Sequence, residues 1–113
     1  MDIKKEEVEG VTIFRLNGKM VIGEGDELLE KAIEDFISEG EGKLILDMTN
    51  VPYADSAAMG ELVRAYTSIS RATKDALRLF GLSQRIHDFL SITKLLNVFE
   101  VYDNEADAIA SFK

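Results

Sequence analysis

Lys43-Leu44-Ile45-Leu46-Asp47-Met48, continuing through Thr49-Asn50-Val51-Pro52-Tyr53-Ala54-Asp55 into Ser56-Ala57-Ala58-Met59-Gly60-Glu61-Leu62-Val63, is the stretch that decides the fold. Its first six residues form an apolar run too brief for a helix, flanked by Gly42 and Asn50. That pattern predicts a central, buried strand. After the turn Val51 to Asp55, the residues Met59, Leu62, Val63, Tyr66 and Ile69 recur at i, i+3, i+4, i+7 and i+10 and predict an amphipathic helix with one apolar stripe. Glu61, Arg64 and Arg71 fall on its expected exposed face.

Working outward, Ile3 to Glu7 and Val11 to Leu16 are β-branched runs around Glu9-Gly10, the pattern of a hairpin. Beyond the loop Gly18 to Gly25, the residues Leu28, Leu29, Ala32, Ile33, Phe36 and Ile37 recur at helical spacing, and Gly40 closes that helix. Asp26 and Glu27 favour its positive N-terminal end. Downstream, Ala76 to Phe80 reads as a strand, Ser83 to Ile92 as a helix capped by Ser83, and Val98 to Tyr102 as a last strand. Asn104 caps a terminal helix over residues 105–112. The order ββαβαβαβα predicts an α/β domain with a mixed sheet, its later strands joined by right-handed crossovers.

Composition narrows the function. A chain of 113 residues with 46% hydrophobic content fits one compact domain spanning 1–113 that buries roughly two thirds of its unfolded surface. Thirteen Lys and Arg against twenty-one Asp and Glu give a net charge of −8, which disfavours a broad footprint on nucleic acid or anionic lipid. Without cysteine there are no disulfides, thiolate nucleophiles or Cys-based zinc sites, and a single histidine rules out a His cluster. No apolar run approaches the ~18 residues of a membrane span, and the N-terminus lacks the pattern of a signal peptide. A cytoplasmic protein without membrane insertion is the expectation.

Catalytic chemistry has little to draw on. A Ser56, His87 and Asp triad lacks the Gly-x-Ser-x-Gly elbow such nucleophiles use, and His87 falls inside a helix pattern where a surface or half-buried histidine is ordinary. Gly23-Glu24-Gly25 lacks the third glycine and the lysine of a phosphate-cradling loop. Glu24, Asp26 and Glu27 lack the alternating oxygen ligands of a calcium loop and read as a solvated helix start. No catalytic residue, metal or cofactor is therefore expected.

Ser56 stands at the start of the second helix. Two readings of the position are open. Either Asp55 or Ser56 is simply the N-cap, or the Ser56 hydroxyl is a phosphorylation target, where a phosphate would meet free backbone amides and the positive helix end.

The run from Asp47 through Ser56, with Ala57 to Val63 after it, resembles the signature of the STAS domain in bacterial anti-sigma factor antagonists, where a strand ends in Asp-Leu-x-x-Val and an aromatic-x-Asp-Ser opens a helix. The resemblance extends along nearly the whole chain. Leu16-Asn17-Gly18 looks like the family's Leu-x-Gly. Leu82-Ser83-Gln84-Arg85-Ile86 to Leu90 with Thr93-Lys94-Leu95 is similar to its Ser-x-x-Val-x-x-x-Leu and Thr-Gly-Leu, and Phe99 to Ala108 is similar to its closing strand and helix.

The resemblance implies a single STAS-like domain with about four helices largely on one side of the sheet, and a non-enzymatic role in partner switching. Unphosphorylated, such a domain sequesters an anti-sigma factor that is also a serine kinase and so frees a sigma factor. Phosphorylation of the serine matching Ser56 ends the complex, and a PP2C-like serine phosphatase resets it. Asp55, Ser56, Ala57, Ala58 and Met59 would contact the partner, with Val21, Ile22 and Gly23 as a second contact. Ala58 replaces a usual glycine and adds a methyl where a partner's backbone would come close; Val21 replaces a common acidic residue, and Lys94 the glycine of Thr-Gly-Leu. The alternative is a constitutive STAS scaffold or accessory subunit, in a stress-sensing complex or lipid transporter, with Ser56 only a cap.

Overall fold

The computed structural model describes residues 2–21, 26–40, 42–73, 75, 77–97 and 99–113. The opening hairpin is β1 (Asp2–Val8) against β2 (Val11–Asn17), antiparallel, with Val8 opposite Val11. Glu9 (φ 52°) and Gly10 (φ 80°) both have positive φ, which a two-residue type I′ connection requires for its twist to match the strands. There follow α1 (Asp26–Ser38), β3 (Leu44–Asn50), α2 (Ser56–Ala72), β4 (Arg78–Phe80), α3 (Gln84–Ile92), a 3-10 turn (Leu95–Asn97), β5 (Glu100–Tyr102) and α4 (Glu105–Ala110). The sheet runs β1-β2-β3-β4-β5, and every pairing after the hairpin is parallel.

Period-2 alternation sorts the strand side chains onto two faces. Phe14 and Leu16 of β2, Leu44, Leu46 and Met48 of β3, and Leu79 of β4 join the large core built with α1, α2 and α3. Val11, Ile13, Ile45 and Phe80 point the other way, into a smaller cluster closed by Ala108 and Ile109 of α4. Three helices thus cover one face and one short helix the other. Because β3 is buried on both faces from Leu44 to Met48, Leu44, Ile45 and Leu46 are apolar in succession rather than alternating with polar residues.

Several elements differ from the sequence expectation in extent. The fourth and fifth strands of the expected set shrink to three residues each: Leu77 and Phe99 are buried but lie outside the ladder, and Ala76 and Val98 fall outside the described residues. The terminal helix ends at Ala110, and Phe112 instead packs its ring 4.0 Å from the Arg78 guanidinium. The caps match: Ser83 Oγ accepts from the Ile86 amide (3.2 Å) and Asn104 Oδ1 from the Asp107 amide (2.8 Å).

Glu61 corrects the expected exposed face of α2. It is only 4% exposed, and its carboxylate accepts bonds from the Nε (3.1 Å) and Nη2 of Arg64, which remains in solvent. The position lies where α1 crosses α2, in a groove it shares with Glu30, Ile33, Glu34 and Ala65, and the nearby arginine makes burial of a carboxylate tolerable there. Conversely Leu28, expected in the α1 stripe, is 46% exposed.

Opposite the three-helix face, Arg15 joins three elements. Asp47 stands beside it in the parallel register, and Arg15 Nη1 donates to Asp47 Oδ2 (2.9 Å) and to Glu105 of α4 (2.8 Å), while its Nε lies 3.2 Å from Glu6. Burial pushes the Asp47 carboxyl up, but hydrogen bonds from Thr49 and the Arg15 guanidinium outweigh it and hold the group below the usual carboxylate range. Arg15 thus fastens the sheet to α4, and the aspartate of the family-like motif holds Arg15 in place.

Two positive-φ positions explain local sequence. Gly81 (φ +77°) lies so close to β3 that an added Cβ would meet the Thr49 side chain and approach its amide to 2.9 Å. Lys94 has φ 62° just past α3, at the position where the STAS pattern has glycine.

Candidate phosphorylation and docking site

The site begins where β3 ends. Val51 N bonds back to Met48 O (3.0 Å), turning the chain out of the sheet, and Gly18 N donates to Asn50 O (3.0 Å). The segment after β2 is then laced to the turn before α2: Met20 N donates to Tyr53 O (2.9 Å) and Asp55 N to Met20 O (3.0 Å), an isolated parallel bridge. Met20 is buried in the core. These bonds place Val21, half-buried, one residue beyond the strut that fixes Asp55.

Asp55 is the N-cap of α2. Its backbone is extended (φ −82°, ψ 175°) and its Oδ1 accepts from the Ala58 amide at 2.8 Å. Ser56 is the first residue of the helix, exposed, with no hydrogen bond from its hydroxyl among the described residues. Of the two sequence readings for the cap, Asp55 takes the role and Ser56 keeps a solvent-facing hydroxyl.

The other expected contact residues divide. Ala57 is exposed beside Ser56. Ala58 and Met59 are each 1% exposed, so their side chains belong to the core and not to the surface. The helical period turns them inward, and the Ala58 methyl is spent on packing rather than presented to a partner. Gly60, one turn beyond Ser56, is exposed, and an added Cβ there would meet nothing within 4 Å. Ile22 and Gly23 lie outside the described residues, as do Glu24 and Gly25.

Sequence reasoning missed the far wall of the site. Ser56 lines an open depression of about 430 Å³ with Tyr53, Ala54 and Asp55 and, from α3, Arg85, Asp88, Phe89 and Ile92. Ser83 Oγ donates to Pro52 O (3.4 Å), holding the start of α3 against the turn. The Arg85 guanidinium carbon lies 5.2 Å from the Tyr53 ring centroid, and Ile92 is 81% exposed. His87 is exposed and does not line the depression. The described residues contain no cluster of three or more candidate metal ligands, and no helix among them is long and apolar enough to cross a membrane.

A hairpin-led sheet backed by three helices, with an exposed serine opening the second of them, defines a STAS domain. The STAS family model matches residues 2–108, and the chain belongs to that family. The anti-sigma-B factor antagonist of Listeria monocytogenes is 30% identical over 111 residues, 95% of this chain and 91% of that protein. The fold superposes with a TM-score of 0.87 on a solved Thermotoga maritima protein described as a candidate anti-sigma factor antagonist, 25% identical and aligned over 96% of this chain and 92% of the other. A sulfate transporter family protein from Wolinella succinogenes is also similar, with TM-score 0.76, 29% identity and coverage of 92% and 85%.

Proposed function

We propose that this STAS domain is an anti-sigma factor antagonist, a non-enzymatic cytoplasmic binding module switched by phosphorylation of Ser56. The observation that carries the reading is the division of labour at the start of α2: Asp55 caps the helix, so the neighbouring Ser56 hydroxyl is exposed and unbonded among the described residues. In the unmodified state Asp55, Ser56, Ala57 and the Val21 to Gly23 segment dock an anti-sigma factor serine kinase, and a sigma factor is freed. Kinase and ATP then place a phosphate on Ser56. A group of about −1.5 to −2 charge at the helix start is offset locally by backbone amides but opposes a closely packed protein surface, so the fold persists while the complex dissociates. A PP2C-like phosphatase resets the cycle, and no step touches nucleic acid directly.

The Wolinella similarity favours a second reading, a constitutive accessory domain in which Ser56 is never modified. Incubation with the cognate serine kinase and ATP followed by peptide mass spectrometry separates the two. Phosphate on Ser56 supports the switch; a chain that stays unmodified under conditions where the kinase is active supports the accessory role.

A further inference from the structure

We propose that Arg85 is the internal receptor of the Ser56 phosphate: on modification its guanidinium leaves the Tyr53 ring and closes on the phosphoryl oxygens across the depression that the two residues share. The inference rests on the phosphorylation reading and adds what the modified side chain does within this chain.

Three observations carry it. Ser56 and Arg85 line one depression from different helices, and the Ser83 to Pro52 bond links the start of α3 to the turn before α2. Arg85 has no carboxylate partner among the described residues, its contact being the face of Tyr53 at 5.2 Å, whereas Arg15 is held by three carboxylates and Arg64 by Glu61. The two acids lining the same depression bond to other groups, not to Arg85: Asp55 Oδ1 accepts from the Ala58 amide (2.8 Å) and Asp88 Oδ1 from Gln84 Nε2 (2.7 Å). An arginine parked on a ring and lining the same depression as the Ser56 hydroxyl is suited to a bidentate contact with a dianion there, which is stronger than an exposed cation–π contact.

The consequence is a change at both walls. Before modification a partner meets a covered tyrosine and one positive charge; afterwards it meets an uncovered ring and a cation already engaged. Charge at the depression, set by Arg85 against Asp55 and Asp88, becomes more negative by about 2.

The test uses full-length protein carrying phosphoserine at position 56 by genetic incorporation, so no kinase is needed. Its second ionisation, ordinarily near pH 6, is followed by phosphorus NMR. Asp55, Asp88 and the helix amides act equally in every variant, so differences isolate Arg85. The midpoint is expected about 0.5 pH unit or more lower in the otherwise wild-type protein than in Arg85→Gln, with Arg85→Lys between them. Circular dichroism checks that each variant is folded, as an exposed position predicts. The same midpoint in all three proteins would overturn the proposal. A kinase that ignores Ser56 would count against the switch and leave this titration unchanged, so the two failures are distinguishable.

Discussion

Asp55 Oδ1 accepts a 2.8 Å hydrogen bond from the Ala58 amide, and this one contact decides what Ser56, the residue after Asp55, is free to do. With the helix already capped, Ser56 contributes no capping energy. Ser56→Ala and Ser56→Asp should each change unfolding free energy by less than about 0.5 kcal/mol, the range of substitutions at exposed positions. Asp55→Ala should cost about 0.5–2 kcal/mol. Urea melts read both, and a larger loss for Ser56→Ala than for Asp55→Ala would reverse the assignment of the cap.

Leu62 is fully buried between α2 and the sheet, so Leu62→Ala should destabilise the domain by about 2–5 kcal/mol. A loss below half a kcal/mol in denaturant melts would mean that this stripe is not core.

Glycine chemistry gives a paired expectation. Gly81→Ala places a methyl against Thr49 in a left-handed conformation and should cost about 2–4 kcal/mol. Lys94→Gly relieves a side chain at φ 62° and should stabilise by up to about 1 kcal/mol. Both are read as shifts in the urea midpoint, and equal, small effects would contradict the backbone argument.

The Arg15 and Asp47 pair sets an acid dependence. Because the folded Asp47 carboxyl lies below its unfolded value of about 3.9, its contribution is complete above that value and is lost as pH falls through the folded one. Asp47→Asn should therefore cost about 1–3 kcal/mol at pH 7, and the gap to wild type should close as pH falls below about 4. A gap that stays constant down to pH 3 would show that charge plays no part.

Much of the architecture was legible because local chemistry and tertiary demand agree. Glu9-Gly10, the apolar run at Leu44 to Met48, and the caps Ser83 and Asn104 each carry their structure in neighbouring residues. The short β4 and β5 were overextended, since Leu77 and Phe99 are apolar for the sake of the core and not of a ladder. Glu61 was misplaced because its burial depends on α1 crossing above it, which residue type does not announce. At the site, Ser56 was visible from the motif, but helical phase turned Ala58 and Met59 inward, and Arg85, Asp88 and Ile92 arrive from a helix almost thirty positions downstream. Only packing shows that they face the same depression.

Titration calorimetry of the cognate anti-sigma factor kinase against four forms of the full chain tests the switch most directly: wild type, Ser56→Ala, Ser56→Asp and the protein with phosphoserine at position 56. Wild type and Ser56→Ala should bind alike, while Ser56→Asp and the phosphorylated form, equally folded, should lose at least about tenfold in affinity, some 1.4 kcal/mol. Four equal affinities would contradict phosphorylation of Ser56 as the control of partner binding.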